Sequence, residues 1–476
     1  MRIAERIAAA FFLCLTVVWI SCKPDFAIGY VTTADGNHLF EESALDRKGL
    51  ISDVNISIDS KEVYQEVRGF GAAVTGASCY NLLKLDDGER KDILTELFDV
   101  DQGLGISLVR VSIGASDFSV DEEFTWCDEE GIENFRMPRE DRDYLIPVLK
   151  EIYAINPDVK IIASPWSCPI WMKRRSLHDD TPYPSWTSGS LMPSYYEDYA
   201  RYFVMWINAM QDLGFDIYAV TMQNEPLNHG NSMSLYMTWQ EQRDFLKTAL
   251  GPAFEEAGLD TRILLFDHNY DYDRITGQLD YVLKILADED AARYAAGSAW
   301  HNYRGSYTEL DRVNADAPGK EIYFTEASIG TWNYQFGRSL LSDFNDIFIQ
   351  TLKRGCMGVT LWNFMLDENR RPYRPGGCGT CYGVLTLGLD PIRVADRTSH
   401  YYNIAHASKV VKPGAVRVKS SDSGVEGLDI VVFRNVDRSL AALICNQTDN
   451  EHVVRLGSAG PVMDVPANSI ASAIWH

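Results

Sequence analysis

The sequence predicts an α/β fold, a (β/α)8 TIM barrel carrying an all-β sandwich side domain built from N-terminal and C-terminal strands. Three observations predict it. Eight short apolar segments of strand type recur between residues 69 and 362, with amphipathic helical stretches between them. Several of these segments end in polar or aromatic residues, as the catalytic face of such a barrel requires. Beyond about Tyr402 the texture changes to short strands separated by Asp, Ser, Gly and Asn turns, which is the pattern of a sandwich.

Residues 1–22 read as an export signal. Arg2 and Arg6 precede an apolar run over residues 7–20, too short for a transmembrane helix. Ser21-Cys22 followed by Lys23-Pro24-Asp25 resembles a bacterial lipoprotein cleavage site, with Trp19 where a Leu is usual. The chain is therefore expected to be exported and to meet a membrane only through a lipid anchor at Cys22. Residues 23–50 are polar and read as a tether. Alternation over 51–67 (Val54-Asn55-Ile56-Ser57-Ile58) predicts strands that join the side domain. The barrel is placed at 68–402, with strands near 69–74, 106–111, 159–163, 217–222, 263–266, 297–301, 322–325 and 358–362. The sandwich takes 403–476, because five short strands there are too few to close one without help from the N-terminal end.

Composition narrows the partners. With 476 residues, 46% hydrophobic, the chain can bury a core of the 250–350-residue class plus a smaller companion. A formal charge of −23 argues against nucleic acid, anionic membrane surfaces and acidic polymers, and leaves neutral sugars without penalty. The nine cysteines show no disulfide framework. Cys378-Gly-Thr-Cys381 is a lone CxxC that lacks two further zinc ligands, so it reads as a loop disulfide or two free thiols before it reads as a metal site.

Two strand ends carry the chemistry. Thr221-Met222-Gln223-Asn224-Glu225-Pro226 ends the fourth strand and Tyr323-Phe324-Thr325-Glu326-Ala327 the seventh. A carboxylate that finishes an apolar strand is costly to hold without partners. One such Glu would read as a structural ion pair. Two, at ends that meet across a barrel mouth, supply what retaining hydrolysis of a β-glycoside needs: carboxyls about 5–5.5 Å apart, one nucleophile and one acid/base.

In order and spacing, further segments join these two: Gly69-Phe70-Gly71, Arg110-Val111, Ser116-Asp117-Phe118-Ser119, Ala163-Ser164-Pro165-Trp166-Ser167, His301-Asn302-Tyr303, Trp362-Asn363 and Pro466-Ala467-Asn468-Ser469-Ile470. Together they resemble glycoside hydrolase family 30, which holds glucosylceramidases and β-1,6-glucanases, along nearly the whole mature chain. The resemblance implies Glu225 as acid/base and Glu326 as nucleophile. It implies that Asp117 and Trp166 bind the upper hydroxyls of a glucose, Asn224 its 2-hydroxyl, and Trp362 the underside of the ring. It further implies Tyr303 near the nucleophile, His301 beside the acid/base, and Arg110 keeping Glu326 ionised. No cofactor or metal is implied, because two carboxylates suffice.

The segments 121–141 and 365–382 depart from the glucosylceramidase pattern and are expected to line subsites beyond the first glucose. With no apolar lip for a ceramide, the preferred substrate is a β-1,6-glucan cut within the chain. A glucosylceramidase or exo-acting β-glucosidase is the alternative, and a non-catalytic glycan-binding lipoprotein a more distant one. The mechanism also sets an electrostatic expectation: Arg110 favours the anion at Glu326, while desolvation and the Glu326 charge favour the acid at Glu225.

Overall fold

The computed structural model describes residues 26–47, 51–271, 275 and 277–476. The export signal and Cys22 lie outside the described residues.

Eight parallel strands form the barrel: Gly69–Ala72, Leu108–Ser112, Lys160–Ser164, Asp216–Thr221, Arg262–Asn269, Ala295–His301, Glu321–Glu326 and Cys356–Leu361. Each pairs with its neighbour in chain order, and the eighth returns to the first. The ring closes between first and second through a parallel bridge from Ala73 to Arg110, with Val74 N–H donating to the Arg110 carbonyl at 2.8 Å. All eight segments expected from the sequence are present. Their ends shift by at most three residues, the fifth most of all.

Alternation along the strands sorts the residues into layers. Leu108, Ile162, Tyr218, Ala219, Leu264, Ala299 and Tyr323 form a buried cluster inside the barrel. The intervening residues (Val109, Ile161, Val220, Leu265, Trp300, Phe324) face outward into the large core shared with the helices.

The side domain is a sandwich of a seven-stranded and a three-stranded sheet. Strand Ile58–Glu66 forms one edge of the large sheet against Val416–Ser420, and Val54–Ile56 pairs with His452–Leu456 in the small one. Leu428, Ile430 and Val432 point into the sandwich, whereas Val431 and Phe433 on the same strand belong to the barrel's core. This sheet is thus apolar on both faces, and it fixes the side domain to the barrel.

Two boundaries differ from the sequence reading. Residues 27–44 are not a tether: Ala27–Thr33 pairs along its whole length with Ser469–Trp475, and Glu41–Ala44 pairs with Ala27–Thr33 as the outermost strand. The exposed polar face of that outer strand is what made the segment look irregular. The barrel also extends past 402. Helix Ser399–Val410 is buried along nearly its whole length and closes the barrel before the sandwich begins.

Candidate active site

Two residues beyond the apolar layer, the strands turn polar residues into the barrel. Leu108 is followed by Arg110, Ile162 by Ser164, Ala219 by Thr221, Ala299 by His301 and Tyr323 by Thr325. The fifth strand does not obey this count. Its pairing slips between Phe266 and His268, and Phe266 and Asp267 both take left-handed backbone (φ 73° and 64°). This bulge sends Leu265 and Phe266 outward together and turns Asp267 inward.

Asp267 is fully buried, and donors from five strands converge on it. Its Oδ2 accepts from Arg110 Nη2 (2.8 Å), Ser164 Oγ (2.6 Å) and Thr221 Oγ1 (2.8 Å). Its Oδ1 accepts from Thr325 Oγ1 (2.7 Å) and faces His301 Nε2 at 3.0 Å. Burial by itself would raise this carboxyl. The charges of Arg110 and His301 and the hydroxyl donors prevail and hold it well below the usual carboxylate range.

Arg110, wholly buried, spans from this anion to the seventh strand. Nη1 binds Glu326 Oε2 at 2.5 Å, and Nη2 also donates to Asn224 Oδ1 at 2.8 Å. The other Glu326 oxygen accepts the Tyr303 hydroxyl at 3.0 Å. Both oxygens therefore face donors, the arrangement of a carboxylate held as an anion. Burial still pushes Glu326 upward, with Glu225 and Asp267 adding to it and His301 and Arg110 opposing.

Glu225 follows the fourth strand in left-handed backbone (φ 45°), a conformation that costs a non-glycine residue roughly 1–3 kcal/mol and is tolerated where geometry matters more. Its N–H is tied to the Asp267 carbonyl at 2.9 Å. Oε2 accepts from Asn228 Nδ2 (2.8 Å) and Asn231 Nδ2 (3.2 Å), while Oε1 faces His301 Nδ1 at 3.5 Å. Burial would raise this carboxyl, but the His301 hydrogen bond, the charges of His268 and His301 and the Asn228 hydrogen bond pull it down to about 2. The expectation of a raised Glu225 is therefore corrected. The sequence showed the desolvation and the neighbouring anion, but not the cation beside them: His301 is pushed up to about 9 by Glu326, Asp267 and Glu225 against its burial.

One oxygen each of Glu225 and Glu326 and one ring nitrogen of His301 lie within 4.8 Å of one another. That spacing belongs to retaining hydrolysis, since an inverting pair leaves roughly 6.5–9.5 Å for a water.

A cavity of about 340 Å³ opens over the pair. Of the expected site residues, Asp117, Glu225, Tyr303, Glu326 and Trp362 line it. Asn224, His301 and Trp166 lie buried behind the wall. Trp166 stacks on Trp362 (5.3 Å, 28°) and takes the Arg110 guanidinium over its ring at 4.9 Å. Asn224 turns its oxygen to Arg110, which leaves the amide N–H end for a sugar hydroxyl. Burial and the Glu326 and Glu225 charges push the Asp117 carboxyl upward.

Sequence reasoning gave no site role to Asp267, Asn228, Asn231 or Trp332. Asp267 was visible only as a polar residue ending the fifth strand, and Asn228 as a residue three places after Glu225 on the same turn. The 365–382 segment does reach the cavity, through the Cys378–Cys381 disulfide. The 121–141 segment does not line it. It buttresses instead: Glu140 accepts the Val120 and Asp121 N–H groups, and Glu123 pairs with Arg374.

The family model for the glycosyl hydrolase family 30 TIM-barrel domain matches residues 67–410, and that for the family's β-sandwich domain matches 414–473. The chain belongs to glycoside hydrolase family 30. It is similar to a solved structure described as the endo-β-1,6-glucanase BT3312, at 47% identity and a TM-score of 0.92, over 94% of this chain and 99% of that one. Among curated proteins it is 32% identical to the endo-1,6-β-D-glucanase BGN16.3 of Trichoderma harzianum, over 88% of this chain and 86% of the relative. It is 25% identical to the lysosomal acid glucosylceramidase of Mus musculus, over 88% and 83%. The family 30 chain is a retaining glycoside hydrolase, and its paired carboxylates sit where that chemistry needs them.

Proposed function

We propose that this family 30 enzyme is an exported endo-β-1,6-glucanase in which Glu326 is the nucleophile and Glu225 the acid/base. The observation that carries the chemistry is the pair of oxygens within 4.8 Å across the barrel mouth, one carboxylate clamped between Arg110 and Tyr303 and the other beside a histidine. Glu326 attacks the anomeric carbon as the glycosidic bond breaks. Glu225 delivers a proton to the departing oxygen. Glu225 then takes a proton from water, which opens the ester to Glu326 and releases the sugar with its configuration kept.

Similarity to the two β-1,6-glucanases supports the linkage. Trp332 supports a polymer. Its side chain, 52% exposed, shares the cavity with both carboxylates, whereas Trp166 and Trp362 are buried. It rests over Gly330, where a Cβ would stand 2.0 Å from the indole. Gly330 makes an isolated antiparallel bridge to Cys381 of the disulfide loop, with Thr331 N–H donating to the Thr380 carbonyl at 2.9 Å. An exposed, braced indole suits the apolar C–H face of a second sugar unit.

Product analysis on pustulan, laminarin, cellulose, xylan and glucosylceramide tests the reading. A ladder of oligosaccharides from pustulan early in digestion is expected. Early glucose alone would favour the exo-acting alternative, and release only from glucosylceramide would favour a glucosylceramidase. The export signal and lipid anchor at Cys22 complete the proposal, since an anchored enzyme would meet its polymer outside the cytoplasm.

A further inference from the structure

The disulfide loop reaches the cavity between two walls that lie far apart in sequence. One wall carries Asp117, after the second strand, and the other carries Trp332, after the seventh. The Asp117 wall is rigid by itself. Ser116 N–H donates to Ser119 Oγ at 3.0 Å and Phe118 N–H to Ser116 Oγ at 3.1 Å, and residues 116–119 are all buried. The Trp332 wall is an exposed turn over residues 331–333 that leans on the loop.

The loop holds both walls. Arg374 N–H donates to the Asp117 carbonyl at 2.7 Å, and the Cys378 N–H faces the Asp117 carboxyl. On the other side Tyr382 N–H donates to the Ile329 carbonyl at 2.8 Å, next to the Thr331–Thr380 hydrogen bond and the bridge from Cys381 to Gly330. Cys378 thus belongs to the Asp117 side and Cys381 to the Trp332 side, and their disulfide joins the two. Between Pro375 and Thr380 the sequence is Gly-Gly-Cys-Gly, so Cys378 carries the only side chain of that stretch. Cys381 is buried in the apolar cluster that holds Trp166 and Trp362, with Cys378 packed against it.

We propose that the Cys378–Cys381 disulfide is a positioning element that ties the Trp332 turn to the Asp117 wall, so that a second sugar unit meets a seated indole only in the oxidised protein. The proposal rests on the reading of Trp332 as the contact for that unit and adds what holds it in place. With the bond reduced, the loop keeps its backbone contacts on each side and loses the link between them. A polymer must then order the two walls as it binds, which opposes binding. The first sugar is held by groups on the barrel strands and escapes most of that cost.

The test compares kcat/KM on β-1,6-glucan and on a dinitrophenyl β-glucoside before dithiothreitol, after it, and after reoxidation. The reagent attacks as a thiolate, leaves two cysteine thiols on the protein and departs as its own cyclic disulfide. The other described cysteines are free and buried, so it meets no second disulfide among the described residues. Reduction should lower the ratio of polymer to monoglucoside kcat/KM about fivefold, part of what removing the indole would cost, and reoxidation should restore it. Cys378→Ser/Cys381→Ser should show the lowered ratio with no response to the reagent. Adding Trp332→Ala to that variant should lose little more, because an indole already unseated contributes little. An unchanged ratio, losses that multiply in full, or two free thiols at Cys378 and Cys381 in the untreated protein would each overturn the proposal. If the serine variant does not fold, reversible reduction of the wild-type protein decides alone. The product ladder from β-1,6-glucan tests the substrate reading separately; should it fail, the same ratio on the polymer that the oxidised enzyme does cut decides the brace.

Discussion

The hydroxyl of Tyr303 donates to Glu326 at 3.0 Å, on the carboxylate oxygen that Arg110 leaves uncovered. Together the two donors favour the anion that attacks. Tyr303→Phe removes a donor to the charged form, so the Glu326 carboxyl should rise further. The acidic limb of kcat/KM should move to higher pH, with a loss at the optimum of about tenfold, the worth of one hydrogen bond to a charge. An unmoved acidic limb would mean that Tyr303 serves substrate binding alone.

Glu326→Gln should abolish turnover of every substrate. Glu225→Gln should spare the first step for dinitrophenyl glycosides, stall at the covalent ester and be rescued by azide as a β-glycosyl azide. The configuration of that product, read by NMR, checks both roles, and an α-azide would reverse them.

Trp332→Ala should cut kcat/KM on β-1,6-glucan about tenfold, near the upper worth of an aromatic contact, and leave a dinitrophenyl monoglucoside within about twofold. Gly330→Ala should reproduce part of the loss, because its methyl would collide with the seated indole. Equal losses on polymer and monoglucoside would place Trp332 in service of the catalytic pocket itself.

His406 joins the barrel's last helix to the sandwich, set between Thr32 Oγ1 and Ser472 Oγ at 2.9 Å each. Burial pushes it down to about 3, below its unfolded value near 6.5. In the unfolded chain it gains a proton that the folded chain refuses, so its contribution is full above pH 6.5 and is lost as pH falls toward 3. His406→Gln should lower Tm at neutral pH and flatten the decline between pH 6.5 and 4. A decline as steep as in the parent would assign the acid sensitivity to other groups.

Cys22→Ala should move the protein from the membrane fraction into the soluble fraction of its host. A parent protein already wholly soluble there would remove the lipid anchor and leave export standing.

Strand count, strand order and the two carboxylates were legible in the sequence, because apolar period and polar strand ends are local properties. Arg110, Ser164, Thr221, His301 and Thr325 each follow an inward apolar residue by two places, so simple alternation puts them inside. Asp267 breaks that count. Alternation places Phe266 inside and Asp267 outside, and only the pairing slip with its two left-handed residues reverses them. Such a bulge depends on neighbouring strands, which no local window contains. Residues 27–44 were misread for a similar reason: their partner, Ser469–Trp475, lies at the far end of the chain. Charge depends on tertiary structure most of all. The sequence determined that Glu225 and Glu326 would face each other. The proton affinity of Glu225 was decided by what the fold gathers around it, His301, His268 and Asn228 against burial, since electrostatic energy follows distance in space and the burial of every partner at once.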